Sequence, residues 1–461
     1  MHIQTKKTGG FRVAALFLPL ALGLGIPVLA QEDDEPADEW FVLQGGDVYT
    51  GTGAVLRGAT VLSKNGKIDE IGYDLYIPEA AEILDVAGYR VYPGLVAIES
   101  RGLFGGSSDL ANSVDPFSKN MILALSAGVT TARSSSEVAK LRAGHIDGLV
   151  LTTGVLPSLS YSKSNPAGKR TLREKFEMAA RYLENYAQWE IDKKKDKDLK
   201  EPTDKGVDSS ILRYLRGEAR PVFSASKRTD LLEIARLAQR FGFRPIIDGC
   251  QEGWIVADEL GRAGASAIIT ARDRSTKSEQ LVGTGGSSIE NAAILHRAGV
   301  SVTIIPSSAG ISLGGIVGRD LMHLTIEAGF AVRGGLPEKA ALDGITIEPA
   351  RLLGVESRVG SIEVGKDADM IVTDGDILHY QTFVQWAVVS GEVVYDKEAE
   401  LFFAHIRPRP EGSLSPEERV DLGEESDEDI EEVPDDSGSS GEGNGEGEGD
   451  GEGDGDGDTH P

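Results

Sequence analysis

Short apolar runs punctuated by glycine fill residues 41–92. Phe41-Val-Leu, Asp47-Val-Tyr, Ala59-Thr-Val-Leu, Lys67-Ile-Asp-Glu-Ile71 and Glu82-Ile-Leu read as strands, and Asn65-Gly66 reads as a hairpin turn. The same texture returns near the other end, in Ser361-Ile-Glu-Val, Asp369-Met-Ile-Val-Thr, Phe383 to Val389 and Glu392-Val-Val-Tyr, with a turn at Ser390-Gly391. Two strand-rich segments that bracket a long middle region are expected to pair into one small β domain, built from 41–92 and 356–400.

The middle, 93–355, changes period. Strand-like runs at 95–98, 129–133, 148–152, 221–225, 244–248, 266–270 and 301–305 alternate with helical patterns such as Thr229–Phe241 and Val256–Ala263. That alternation predicts βα units around a parallel sheet. Seven strands are visible, and an eighth is expected within 135–165. A βα barrel fits best, with a doubly wound sheet as the alternative. Residues 169–218 read as a helical insertion, because Leu172, Phe176, Ala179, Leu183 and Tyr186 recur on one helix face.

Both ends fall outside this pattern. Lys6, Lys7 and Arg12 precede an apolar run to Ala30, the pattern of a signal peptide over 1–30, and an acidic linker over 31–40 follows. An exported protein, periplasmic or extracellular, is therefore expected. No cysteine follows the apolar run, which argues against a lipoprotein. The Gly-Glu-Gly-Asp repeats of 410–461 lack apolar residues and read as a disordered acidic tail. A period-two tail fixes no calcium-ligand geometry.

Charge sharpens the picture. The formal net charge is −27, but residues 411–461 carry 21 acids and one arginine, which leaves only −10 on residues 31–410. A mildly acidic body argues against a nucleic-acid partner. The single cysteine, Cys250, permits no intrachain disulfide, so the fold relies on its core.

Three stretches carry a family likeness. They are Pro93-Gly94-Leu95, Ala127-Gly-Val-Thr-Thr131, and Thr346-Ile-Glu-Pro-Ala-Arg-Leu-Leu-Gly running on through Gly360-Ser-Ile-Glu-Val-Gly-Lys-Asp-Ala-Asp369. Together they resemble the amidohydrolase superfamily, in particular its imidazolonepropionase-like branch, over about 41–396. The resemblance implies a (β/α)8 TIM-type barrel with a composite, β-sandwich-like domain from both chain ends. It also implies hydrolysis of non-peptide carbon–nitrogen bonds in cyclic or small amides, by water activated on zinc or another divalent metal at the C-terminal ends of the strands.

The ligands that the resemblance calls for are replaced. The His-x-His of the first strand is Glu99 and Arg101; later ligand positions fall near Ala225, at Asp248 or Gly249, and at Ser307. His145, His296, His323, His379, His405 and His460 are widely separated and lie at none of these positions. No metal cofactor is therefore predicted. Glu99 and Arg101 read as an ion pair filling the vacated site, or as part of a pocket with Lys227, Asp248, Arg272, Ser307 and Ser308. Glu99 is the candidate catalytic base of a rewired, metal-free hydrolase.

The other motifs point to plainer roles. Gly310-Ile-Ser-Leu-Gly314 matches a nucleophile pattern, but residues 306–309 separate it from its strand, and it reads as a loop. Cys250 lacks a histidine partner. Ser287 with Glu290 reads as a capping box for a helix over Ile289–Arg297. The functional reading is a degenerate hydrolase homologue that binds a small molecule or a catalytically intact relative, with oligomerisation open. The alternatives are an active hydrolase centred on Glu99 and a structural cell-envelope protein.

Overall fold

A computed structural model describes residues 38–105, 109–273, 286–311 and 319–400. The expected signal peptide, most of the acidic linker and the acidic tail lie outside these residues, as do residues 312–314 of the glycine–serine motif.

The chain opens with β1 (Trp40–Tyr49), β2 (Val55–Lys64), β3 (Lys67–Gly72), β4 (Glu82–Asp85) and β5 (Arg90–Pro93). The β2–β3 hairpin turns at Asn65 and Gly66, whose φ values are 50° and 77°. Asn and Gly tolerate that left-handed backbone, so the turn is fixed by its own residues.

The chain then enters the middle region through Pro93-Gly94. A side chain at Gly94 would meet Thr130 Oγ1 at 2.1 Å, so this crossing needs glycine. Nine strands follow: β6 (Leu95–Ser100), β7 (Val129–Ser134), β8 (Glu137–Lys140), β9 (Val150–Thr153), β10 (Ser158–Leu159), β11 (Val222–Ala225), β12 (Ile246–Gly249), β13 (Ser266–Ile269) and β14 (Ser301–Ile304). β6 and β7 run parallel, as do β10 to β14 in succession.

These strands curl into a barrel. Val96 and Ile98 of β6, Val138 of β8, Val222 of β11, Ile246 of β12 and Ile268 of β13 all meet in one buried cluster. Residues 150–159 bridge the two sheets, with β9 paired to β8 and β10 paired to β11. On the opposite side, Gly344 and Ile345 close the gap: Ile304 N donates to Gly344 O and Val96 N to Ile345 O, both at 2.9 Å. Gly344 is required there, because a Cβ would meet Val302 O at 2.9 Å. The helix Ile347–Leu353 adds Ala350, Leu352 and Leu353 to the same core. Each such fully buried aliphatic side chain contributes about 1.5–3 kcal/mol.

The barrel departs from strict βα repetition in one place. β7, β8 and β9 form an antiparallel meander rather than helix-linked parallel strands. Only Ser135 and Ser136 separate β7 from β8, which leaves no length for a crossover helix. Within 135–165, β9 matches the run read at 148–152, and β8 and β10 are two further short strands.

The chain returns to the first sheet with β15 (Met370–Thr373), β16 (Val384–Val389) and β17 (Glu392–Asp396). β15 pairs antiparallel with β5, giving one eight-stranded sheet in the order β17-β16-β15-β5-β1-β2-β3, with β4 on β1. Phe41, Val48, Val61, Val91, Met370 and Val388 form its core. All eight strands belong to one connected mixed sheet, and its two ends come together where Gly391 packs against Ser63 and Gly66.

The family-like Gly-Lys-Asp-Ala-Asp run has a physical role at the seam between sheet and barrel. Lys140 of β8, 2% exposed, places Nζ 2.8 Å from Asp367 Oδ2 and 2.9 Å from Asp369 Oδ1. Arg358 and Lys67 also pair with Asp367. Burial would raise the Asp367 pKa, but these three cations overcome it and hold the group below the usual carboxylate range. Asp369 is pushed upward by burial.

In the insertion, one helix spans Pro166–Lys193 and buries Leu172, Phe176, Ala179 and Trp189. Leu183 and Tyr186 are only half-buried. The capping box expected at Ser287 and Glu290 does not form. That helix starts at Asn291, two residues later than expected, with no side-chain cap at Glu290. No helix among the described residues is long and apolar enough to cross a membrane.

Candidate functional site

The C-terminal ends of β6 and β7 line a polar cleft, and Asp248 at the end of β12 lies within electrostatic reach of its Glu99 and Arg133. Val96 and Ile98 face the barrel core, and strict alternation would send Ser100 after them. A bulge between Ala97 and Ser100 breaks that alternation. Ser100 Oγ instead donates to the Arg133 carbonyl at 2.8 Å. Glu99, 33% exposed at its side chain, lies on the cleft wall.

Arg133, at the end of β7, is the cation at the centre of this arrangement. Its Nε donates to Ile98 O at 2.7 Å and its Nη1 to Ser135 O at 2.6 Å. The remaining nitrogen, Nη2, stands 3.7 Å from Glu99 Oε2. Burial lowers the Arg133 pKa, and the charges of Glu99 and Asp248 oppose that shift. Two carbonyls thus aim a desolvated guanidinium at the carboxylates. Arg133 escaped the sequence reading because an arginine closing a strand carries no motif; only its place after Ala127-Gly-Val-Thr-Thr131 marked it.

Asp248, from β12, completes the group. Its pKa is raised by burial first and by the Glu99 charge second, while Ser224 and Arg133 act the other way. Ser224 Oγ donates to Asp248 Oδ2 at 3.4 Å, the two residues being register partners on β11 and β12. A carboxyl with a raised pKa beside a carboxylate and a fixed cation gives the site groups that accept hydrogen bonds and pair with charge.

Of the other residues expected in one pocket, Arg101 lines the same cleft as Glu99, while Arg272, Ser307, Ser308 and Lys227 lie elsewhere. Arg101 lies beyond the end of β6 with its side chain 79% exposed, and it folds back to donate from Nη2 to Glu99 Oε1 at 3.0 Å. Arg272 faces a second cleft of about 300 Å³ with Thr270, Asp273, Ser307, Arg319 and Glu327. It is locked there: Nη2 pairs with the buried Glu327 at 2.7 Å, and the guanidinium lies 4.6 Å from the Phe330 ring centroid. Ser307 Oγ and Ser308 N both donate to Arg319 O. Lys227 precedes the helix Arg228–Phe241, and its charge acts on Glu252.

Cys250 is fully buried, and burial pushes its thiol up to about 12. Its Sγ packs so closely that a Cβ at Gly253 would meet it at 2.6 Å. A thiol in that state is no nucleophile.

These residues do not fit a divalent metal. Glu99 and Asp248 are the two carboxylates at the cleft, and guanidinium groups face both oxygens of Glu99. His145 sits against Glu392 and His323 against Asp320, away from the cleft. Among the described residues no three His, Cys, Asp or Glu side chains converge in a metal-binding group. Fewer than three donors with a fixed cation among them offer no closed coordination shell.

Residues 254–400 match the family model described as amidohydrolase family. A stretch of 95 residues, 21% of the chain, is 33% identical to amidohydrolase tasK of Hapsidospora irregularis, of which it spans 10%. Another 64 residues, 14% of the chain, are 42% identical to N-acetylglucosamine-6-phosphate deacetylase of Rattus norvegicus, of which they span 14%. The fold is similar to that of an amidohydrolase from Thermotoga maritima MSB8, with a TM-score of 0.59 at 22% identity over 77% of this chain and 100% of that one. The amidohydrolase match is thus carried by residues 254–400, the fold is similar to that of an amidohydrolase, and the chain's alignments span only 10–14% of the curated relatives' length.

Proposed function

We propose that this protein is an exported, metal-independent member of the superfamily that binds a small polar molecule at the barrel mouth. The observation that supports this reading is the placement of Arg133. Its guanidinium is anchored by two backbone carbonyls and aimed at Glu99, in the part of the fold where the family resemblance calls for a metal. A fixed cation there repels a divalent ion and attracts a ligand carbonyl or carboxylate. Asp248, its pKa raised by burial and by Glu99, adds a second polar group within electrostatic reach of Arg133. The ligand class is a small amide or an N-acyl amino acid, the chemistry that the family relationship suggests.

Calorimetric titration of N-acyl amino acids, hydantoins and cyclic dipeptides tests this. Binding by at least one compound that Arg133→Gln abolishes supports the reading; binding unaffected by Arg133→Gln contradicts it.

A second reading, metal-free hydrolysis with Glu99 as base, draws on the proximity of Glu99 to a second carboxyl, Asp248, whose pKa its charge raises. Against it, Arg101 bonds Glu99 Oε1 and Arg133 faces Oε2, and both compete for the lone pairs a base needs. Turnover abolished by Glu99→Gln would establish this second reading. Binding of a catalytically intact relative, or a structural role in the cell envelope through the acidic tail, predicts partner recovery that changes when 411–461 is deleted.

A further inference from the structure

A second charged site lies in the helical insertion and shares no residue with the two barrel-mouth clefts. The helix Pro166–Lys193 packs against the helix Arg228–Phe241, with Phe176 stacked on Phe241 at 5.2 Å between centroids. Along this seam the charges form rungs. Lys169 pairs with Glu233, and Arg240 Nη2 pairs with Glu177 Oε1 at 2.9 Å. Arg173 stands one turn from both Lys169 and Glu177, on the same helix face. Arg236 occupies the corresponding place between Glu233 and Arg240 on the facing helix.

The middle rung is therefore arginine against arginine. Both side chains line one cleft of about 330 Å³, with Lys169, Glu233 and Arg240 around it and Tyr161 and Leu237 buried in its wall. Among the described residues neither Arg173 nor Arg236 has a carboxylate within the 4.0 Å ion-pair limit. The convergence is felt by Tyr161: burial raises its pKa, and the charges of Arg173 and Arg240 oppose that rise. Like charges facing one cleft cost Coulomb energy unless an anion lies between them. In a chain of net charge −27, the absence of a carboxylate at this rung, when both neighbouring rungs have one, is the feature to explain.

We propose that Arg173 and Arg236 form an oxyanion site for a phosphoryl dianion. Two guanidinium forks match the oxygens of a tetrahedral phosphoryl group, and each fork donates two parallel hydrogen bonds. Lys169 and Arg240 are neutralised by Glu233 and Glu177, so the unbalanced positive charge of the cleft is that of Arg173 and Arg236. Leu237 and Tyr161 give the cleft an apolar wall on which the organic part of a monoester can rest. The same phosphoryl chemistry arrives either as free phosphate or as a small phosphomonoester.

Calorimetric titration of the full chain with inorganic phosphate and, separately, with phenyl phosphate tests the site. Chloride holds the ionic strength constant. Saturable binding of either compound is expected, weakened at least tenfold in Arg173→Gln and in Arg236→Gln. Comparable affinities identify free phosphate as the occupant; tenfold tighter binding of phenyl phosphate identifies a monoester. Both side chains are exposed, and either substitution removes a like-charge contact, so the variants are expected to melt in chloride no lower than wild type. Arg173→Lys, which keeps the charge and loses the fork, is expected to bind between wild type and Arg173→Gln. Heats no different from chloride for both compounds overturn the proposal, as does binding retained in the double variant.

Discussion

Arg133 Nη2 lies 3.7 Å from Glu99 Oε2, while Nε of the same side chain is held by Ile98 O at 2.7 Å. The guanidinium is thus bonded to the backbone of the strand that carries its carboxylate partner. One residue both stitches β6 to β7 and sets the charge of the barrel mouth.

That dual role predicts a stability cost for its removal. Arg133→Met leaves two carbonyls without their donor and removes the positive charge facing Glu99 and Asp248. A loss of about 1–3 kcal/mol is expected at pH 7, measured by urea denaturation. A loss below the resolution of that measurement would mean that water replaces the guanidinium freely.

The pH dependence of Asp248 has a definite sign. Its folded pKa is raised above the ordinary value of 3.8 by burial and by Glu99. The folded state therefore binds this proton more tightly than the unfolded chain does. Its contribution to stability is fully present below 3.8 and is lost as pH rises through the raised value. Asp248→Asn, which cannot ionise, is expected to melt above wild type at pH 7. The difference should shrink as pH falls towards 4. A variant less stable than wild type at pH 7 would show that Asp248 is held there as a needed anion.

Lys140 ties the barrel to the sheet through Asp367 and Asp369, and all three are almost fully buried. Lys140→Met leaves two buried carboxylates short of a cation and is expected to cost about 3–5 kcal/mol. Asp369 Oδ2 has no hydrogen-bond partner among the described residues. Adding Asp369→Asn should therefore recover part of the loss. Additive losses in the double variant would refute the coupling.

Cys250 should resist alkylation in the native state. With a pKa near 12 and full burial, its thiolate is scarce and unreachable at pH 8. Mass spectrometry after iodoacetamide treatment should show labelling only in denaturant. Rapid native labelling would place the thiol in an open site.

The sheet was legible because its cues are local. Asn65-Gly66 and Ser390-Gly391 fix their hairpins through left-handed φ values, and alternation marks the buried faces. The Gly-Lys-Asp-Ala-Asp run was legible as a family likeness, but its role was not: Lys140 lies 229 residues from Asp369, and nothing local links them. The reversed β8 was hidden because Glu-Val-Ala-Lys is too short to declare a direction, and Ser135 makes a tight turn at φ 55° without glycine. At the strand ends, the positions where the family resemblance calls for ligands led to Glu99 and Asp248. The bulge that re-aims Glu99 and the guanidinium that faces it depend on pairing between strands, which spacing along the chain does not record.

The central claim is that Arg133 supplies the positive charge at the barrel mouth in place of a metal ion. The most direct test is the metal content of purified full-length protein by inductively coupled plasma mass spectrometry, paired with zinc titration of wild type and Arg133→Gln. The account predicts well below one zinc, manganese, iron or nickel per chain and no tight zinc binding by wild type. One tightly bound equivalent per chain, lost on Glu99→Gln or Asp248→Asn, would contradict it.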